Sequence, residues 1–135
     1  MTGLRVGFAL VAAATAAGCG GQVETACTAD VRLGLGIVVV NGETGAHVCD
    51  AAVTASSGSY SERLVPTSDA RVSGCLYVGA AERPGTYSVH AEAEGLGGST
   101  LSAVTVPVTR DGCHVEQVIR TIELGPASKA SELPR

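Results

Sequence analysis

The chain has 135 residues and a formal net charge of −4, from 9 Lys and Arg against 13 Asp and Glu. This length suits one domain with a single core, and the scattered charges include no basic run, which excludes nucleic acid as an expected partner. Trp is absent and Phe occurs once, so the core must be built from aliphatic side chains and tyrosines.

The first eighteen residues have the pattern of an export signal. Arg5 is the only charged residue among them, and residues 6–17 are Val, Phe, Leu and small side chains. This apolar run is about a dozen residues long, whereas a helix that spans a bilayer needs roughly 20. A charged start, a short apolar run and a small-residue exit predict a signal peptide over residues 1–18 rather than a membrane helix.

The leader ends in Thr15-Ala16-Ala17-Gly18-Cys19, which resembles the lipobox of a bacterial lipoprotein. The resemblance implies cleavage before Cys19, whose thiol then carries diacylglycerol, with palmitate among the acyl chains. Two or more acyl chains anchor a protein stably in a membrane, whereas one holds it only marginally. We therefore expect the chain to be bound to the membrane through Cys19.

Two neighbouring residues bear on the location of the mature chain. Gly20 stands where Asp would be the familiar signal for retention in the inner membrane. The expected location is therefore the cell envelope, with the anchor in the outer membrane. Ala16 stands where lipoboxes most often have Leu, and the alternative is cleavage after Ala14-Thr15-Ala16. That cleavage would give a soluble secreted or periplasmic protein with Cys19 as an odd thiol.

Short strands are predicted along the rest of the chain, between a polar tether at residues 19–30 and a loose tail at residues 126–135. Residues 31–125 alternate between apolar segments and turn clusters at intervals of about ten residues. The predicted strands are Val31–Val40, Val48–Ala55, Arg63–Val65, Cys75–Val78, Thr86–Ala93, Leu101–Val108 and Val115–Leu124. No stretch has helical periodicity, so we predict an all-β domain, a seven-stranded antiparallel β-sandwich.

The cysteine count predicts disulfides. Assigning Cys19 to lipid leaves an even number in an exported domain, which indicates two disulfides. The four cysteines are Cys27, Cys49, Cys75 and Cys113. They allow three pairings, all open at this point. Metal binding is the rival interpretation, through His47 with Cys49 or Cys113 with His114. Neither pair has the spacing of a structural zinc site, so we expect no metal and no cofactor.

Two motifs sharpen the fold prediction. One is T-G-A-H-V-C-D-A-A-V over residues 44–53, and the other is P-G-T-Y-S-V-H-A-E-A-E-G over residues 84–95. In this strand order they resemble the carboxypeptidase regulatory-like domain, a transthyretin-like seven-stranded Greek-key sandwich, over roughly Leu33–Leu124. The resemblance implies a buried aromatic side chain at Tyr87 and a core residue at Val53. It implies no peptidase activity, because the motifs mark turns and core positions, and a fold does not define a function.

The resemblance also bears on the disulfide pairing. In a sandwich of this type the first and last strands can run side by side in parallel. Cys27 and Cys113 each precede one of these two strands. We therefore expect a disulfide between Cys27 and Cys113, which leaves Cys49 to pair with Cys75.

The sequence contains no familiar catalytic motif. It has no H-E-x-x-H, G-x-S-x-G, P-loop or G-x-G-x-x-G. His90 and Glu92 share the outward side of the predicted strand Thr86–Ala93 and could exchange a proton, but a solvated sheet face is the simpler interpretation. His47 lies beside a turn and is expected to be exposed. His114 is expected to be the first residue of a strand.

Three functions remain, in order of expectation. The first is a non-catalytic structural or interaction module that docks on another envelope protein by a loop or an edge strand. The second is a carbohydrate-binding or adhesion module. Sugar binding usually uses exposed aromatic side chains, so three tyrosines exposed in one patch would favour it. The third is an undetected hydrolase, which needs His90 or His114 to meet a carboxylate in a cleft. No small-molecule substrate is identified.

Overall fold

The computed structural model describes residues 25–127, and in this range the chain forms eight β-strands and no helix. The strands are β1 (Leu33–Asn41), β2 (Ala52–Ser57), β3 (Tyr60–Arg63), β4 (Val65–Ser68), β5 (Cys75–Ala81), β6 (Gly85–Glu92), β7 (Ser99–Val106) and β8 (Val118–Leu124). The prediction of an all-β domain is confirmed. The predicted signal peptide, Cys19 and most of the predicted tail lie outside the described residues.

The strands form two four-stranded sheets, in the orders β4-β5-β1-β8 and β3-β2-β6-β7. All the strand pairs are antiparallel except β1 and β8, which run parallel with Leu35 opposite Val118 and Asn41 opposite Leu124. Side chains of both sheets meet in one buried cluster. The fold is therefore sandwich-like, as predicted, with eight strands instead of seven.

The additional strand arises at the segment predicted as Arg63–Val65. In the structure the chain changes sheet here, since β3 pairs with β2 and β4 pairs with β5. Leu64 lies at the crossing, is 2% exposed, and donates its N–H to the Val53 carbonyl oxygen at 2.8 Å. The predicted strand ended at Val65, and this boundary is wrong. Pro66 lies inside β4, an edge strand, where a missing N–H is tolerated.

The core follows from alternation along the strands. In β6, Tyr87, Val89 and Ala91 are buried, and the residues between them are partly or fully exposed. Tyr87 and Val53, the core positions that the resemblance implied, are 1% and 0% exposed. Tyr77 and Tyr87 are the largest fully buried side chains. They take the place that Phe and Trp fill in other cores.

The sandwich has two ends that differ in their connections. One end holds the first described residues, the β5–β6 turn and the β7–β8 loop, because β1 begins where β5 ends and β6 begins where β7 ends. We call it the Cys113 end, and its segments are residues 25–32, 82–84 and 107–117. The opposite end holds the β1–β2 loop at residues 42–51, and we call it the Cys49 end.

The β4–β5 loop folds back over the outer face of its own sheet. Arg71 of this loop pairs with Asp69 at 2.6 Å and donates to Gln117 Oε1 at 2.5 Å, just before β8. Leu76, which alternates with the core residue Tyr77 along β5, is 0% exposed without belonging to the main buried cluster. The loop therefore covers a small apolar patch outside the core.

Candidate functional site

The two disulfides close the two ends of the sandwich. One joins Cys27 to Cys113, 86 residues later, with Cα atoms 5.2 Å apart. The other joins Cys49 to Cys75, 26 residues later, with Cα atoms 5.6 Å apart. These are the pairs expected above, and they use every cysteine in residues 25–127. The first one fixes the N-terminal segment on the β7–β8 loop.

Residues 109–114 form a tight loop that presents Cys113 and His114. The Thr109 N–H donates to the His114 carbonyl oxygen at 2.7 Å, and the His114 N–H donates to Thr109 Oγ1 at 3.0 Å. Asp111 accepts hydrogen bonds from the Thr109 hydroxyl and from the Cys113 N–H, and these bonds lower the pKa of its carboxyl. The turn predicted at this point is confirmed.

His114 is the only polar or charged residue among the buried side chains of the described chain, at 8% exposure. Its Nδ1 lies 2.7 Å from Glu82 Oε1, and its Nε2 lies 2.9 Å from Thr28 Oγ1. A carboxylate can only accept, so Nδ1 carries the proton, and in the neutral ring Nε2 accepts from the Thr28 hydroxyl. We call these three residues the His114 cluster.

Glu82 is held in place by the N-terminal segment. It lies in the β5–β6 turn with φ of +47°, a conformation uncommon for residues other than glycine. Its N–H donates to the Arg32 carbonyl oxygen at 2.9 Å, and its Oε1 accepts from the Arg32 N–H at 2.7 Å. The hydrogen bond from His114, followed by the one from Arg32, lowers the pKa of Glu82. Glu82 is therefore a carboxylate at neutral pH.

A cleft of about 410 Å³ opens over the His114 cluster. All three residues of the cluster line it. Its other lining side chains include the apolar Val31, Pro84 and Val108. The cleft thus combines a small set of convergent polar groups with an apolar rim, which is the usual composition of a small-ligand site.

The cluster has a defined chemical capability. A hydroxyl, an imidazole and a carboxylate joined in this order form the arrangement by which a histidine base activates a hydroxyl nucleophile. The same hydrogen bonds tie the N-terminal segment, the β5–β6 turn and the β7–β8 loop together. The geometry therefore supports both a structural tie and a proton-transfer site.

The sequence-based expectation for His114 is wrong. The residue lies in a loop, and β8 begins only at Val118. Its partners Glu82 and Thr28 are 32 and 86 residues away along the chain, so no local pattern predicts the burial. The one available signal is the neighbouring Cys113, because its disulfide to Cys27 brings Thr28 alongside.

His90 and Glu92 lie on the outer face of β6, as predicted. Their side chains are 49% and 66% exposed, and His90 Nε2 is 3.8 Å from Glu92 Oε2. His90 Nδ1 is hydrogen bonded to Thr100 Oγ1 at 2.9 Å. This exposure matches the simpler interpretation of a solvated sheet face.

The Cys49 end is closed by the hydroxyl of Tyr77. This hydroxyl donates to the Val48 carbonyl oxygen at 2.9 Å and accepts from the Ala51 N–H at 2.9 Å. Burial of the ring raises the pKa of Tyr77. His47 is exposed at this end, as predicted. In the part of the chain that the structure describes, no three His, Cys, Asp or Glu residues are grouped as a metal site.

The tyrosines do not form an exposed patch. Tyr77 and Tyr87 are each 1% exposed. Tyr60 packs edge to face on Tyr87 with ring centroids 6.5 Å apart, and the Arg83 guanidinium lies 3.9 Å from its ring centroid. The tyrosine patch that would favour the carbohydrate-binding hypothesis is therefore not present in residues 25–127.

No protein-family model matches the chain, and no curated protein matches it significantly. Residues 25–127 contain no helix that is long and apolar enough to cross a membrane.

Proposed function

We propose that the chain is a lipid-anchored protein of the cell envelope, a non-catalytic structural or protein-interaction module. The use of the cysteines carries this proposal. Two disulfides account for four of the five cysteines, and disulfides persist in oxidising compartments outside the cytosol. The fifth is Cys19, which stands at the lipobox-like site behind an export-type leader.

The proposal includes a finer fold assignment, to the carboxypeptidase regulatory-like, transthyretin-like Greek-key sandwich. It is supported by the burial of Tyr87 and Val53 and by the parallel pairing of the first and last strands. Strands β3 and β4 are separated only by Leu64. Counted as one strand that changes sheet, they give the seven strands of that family.

The interaction surface is proposed to be formed by loops, because each edge strand has a feature that discourages strand addition. Strand β4 contains Pro66, β3 has only 4 residues, β7 has an irregular register with Ala103 at φ of +58°, and β8 carries Arg120 and Glu123. Prolines, short edges, bulges and charges all block pairing with another chain. A partner protein would therefore dock on the loops at the ends of the sandwich.

The test is the intact mass of the protein recovered from its native envelope, before and after reduction. We expect a chain that begins at Cys19, carries acyl groups and gains about 4 Da on reduction, two hydrogens per disulfide. A chain that begins near Ala17 and carries no acyl group would contradict the anchor. Crosslinking of the lipidated chain in the envelope would then identify the partner.

A second function, hydrolysis, is favoured by the His114 cluster. Thr28 Oγ1, His114 and Glu82 lie in nucleophile, base and carboxylate order in one cleft. In such a reaction the Thr28 hydroxyl attacks the acyl carbon of an ester while His114 Nε2 takes the hydroxyl proton. The ester bond to the leaving alcohol breaks, and His114 gives that proton to the departing oxygen. Water then hydrolyses the acyl-threonine ester and regenerates the hydroxyl. This function ranks second because the ring is 8% exposed and both of its nitrogens are occupied in structural bonds.

Ester hydrolysis distinguishes the two functions. The hydrolase predicts turnover of p-nitrophenyl acetate that Thr28→Val abolishes and Thr28→Ser retains. His90→Asn is the matched control, because His90 is exposed and lies outside the cluster. Equal rates in wild type and Thr28→Val would show that only background imidazole chemistry is present and would remove the hydrolase from consideration.

A further inference from the structure

Exposed apolar side chains are concentrated at the Cys113 end. Four large apolar residues of the described chain are exposed: Val31 at 71%, Leu33 at 37%, Val65 at 63% and Val108 at 47%. Val31 and Val108 belong to segments of the Cys113 end and lie on the rim of the same cleft. Single exposed apolar residues are ordinary, whereas these two valines share one rim and form a small apolar surface there.

The proposed lipid anchor is connected to the same end by a short segment of chain. Cys27 is fixed to Cys113 by a disulfide, and Cys19 precedes Cys27 by eight residues. Eight residues span at most about 27 Å when fully extended. A lipid on Cys19 would therefore hold the Cys113 end, and not the Cys49 end, near the bilayer surface at a high effective concentration.

We propose that the Cys113 end is a membrane-contacting surface, with Val31 and Val108 in the bilayer interface and the Cys49 end directed outward. This inference rests on the lipid anchor proposed above. The contact would add apolar burial to the acyl anchor and would fix the orientation of the sandwich. It would also present the loops of the Cys49 end to a partner protein.

Tryptophan fluorescence tests the orientation without a background signal, because the chain contains no Trp. The lipidated full chain is reconstituted in phosphatidylethanolamine and phosphatidylglycerol vesicles whose acyl chains are brominated. The variants are Val31→Trp, Val108→Trp and, as control, Glu43→Trp at the exposed turn of the Cys49 end. We expect blue-shifted emission and bromine quenching for the first two and neither effect for the control.

A further variant tests whether the apolar rim drives the contact. Adding Val108→Asp to Val31→Trp places a charge on the rim at an exposed position, where the fold tolerates it. We expect this change to weaken the quenching of the reporter at residue 31. Unchanged quenching would overturn the role of Val108.

The remaining outcomes separate this inference from the function on which it rests. A full chain without acyl groups by mass spectrometry would overturn both. A lipidated chain whose reporters at residues 31 and 43 are quenched equally, or not at all, would overturn the orientation alone. A blue shift at residue 31 without bromine quenching would mean that protein covers the rim, a second copy or a partner, and would also overturn it.

Discussion

The two ends of the sandwich are closed by the same kind of covalent bond but by different polar groups. At the Cys113 end, a buried imidazole joins three segments through a carboxylate and a hydroxyl. At the Cys49 end, one phenol hydroxyl satisfies two backbone groups of the β1–β2 loop. The first arrangement depends on the carboxylate of Glu82, which gains a proton only in the acid range. The second depends on Tyr77, whose pKa lies above 10.0.

This difference teaches how the two ends can serve different purposes. The two hydrogen bonds of the Tyr77 hydroxyl at the Cys49 end are kept across the acid and neutral range. The Cys113 end contains the cleft, the exposed valines and a carboxylate whose protonation would weaken its bond to His114. Chemistry and environmental sensitivity are therefore concentrated at the end nearest the proposed anchor.

The largest expected effect is the loss of a disulfide, and it should differ between the ends. Because the chain-entropy stabilisation grows with loop length, Cys27→Ala/Cys113→Ala, which opens a separation of 86 residues, is expected to cost about 4.6 kcal/mol. Cys49→Ala/Cys75→Ala opens a separation of 26 residues and is expected to cost about 3.5 kcal/mol. Urea unfolding of both double variants measures the two free energies.

The decisive result is which of the two double variants loses more free energy of unfolding. A larger loss for the Cys49–Cys75 pair would show that native packing around the β1–β2 loop, and not closure of the unfolded chain, determines the contribution of these disulfides. The wild-type protein under reducing conditions provides the reference in which both bonds are absent.

The next effect concerns the hydroxyl groups of the two buried tyrosines. Tyr77→Phe leaves the Val48 carbonyl and the Ala51 N–H without their partner inside the protein, which is expected to cost about 1–3 kcal/mol. Tyr87→Phe is the matched control, because its hydroxyl has a single partner, the Arg83 carbonyl oxygen at 2.9 Å in a partly buried position. Its cost should be smaller, about 1 kcal/mol. Equal free energies of unfolding for the two variants would contradict this account of the Cys49 end.

Features that depend on local geometry were predicted correctly, whereas the change of sheet, which depends on contacts between distant parts of the chain, was not. The alternation in β6 predicted the burial of Tyr87 and the exposure of His90 and Glu92, because a strand alternates by local geometry alone. The crossing at Leu64 was missed, because a change of sheet leaves no mark in local periodicity. Leu64 lies alone between the short strands β3 and β4, and the sequence around it predicts a single edge strand over residues 63–65.

The candidate site was the least predictable part. Local sequence patterns place Thr28 in a polar tether and His114 at the start of a strand, because such patterns reflect only near neighbours along the chain. Their meeting depends on the disulfide between Cys27 and Cys113 and on the parallel pairing of β1 with β8. Once that disulfide is assumed, the polar residues beside its two cysteines become the first candidates for a shared site.

The smallest expected effect is a pH dependence confined to the Cys113 end. The pKa of Glu82 is below its ordinary value of 4.5, chiefly because of the bond from His114. A carboxyl with a lowered folded-state pKa contributes stability that is present above pH 4.5 and is lost as the pH falls through the folded value. Glu82→Gln should therefore lower stability at neutral pH and flatten its decline below pH 4.5, as measured by urea midpoints across the acid range.

Asp69→Asn provides the control, because Asp69 lies in the β4–β5 loop and has no hydrogen bond to the His114 cluster. The hydrogen bond from Arg71 lowers the pKa of Asp69 from 3.8 to about 2. Its contribution is therefore present above pH 3.8 and is lost between 3.8 and about 2. Substituting Glu82 should alter the curve at a higher pH than substituting Asp69. If Asp69→Asn flattened the region just below pH 4.5 as much as Glu82→Gln, the acid sensitivity would belong to the surface as a whole and not to the His114 cluster.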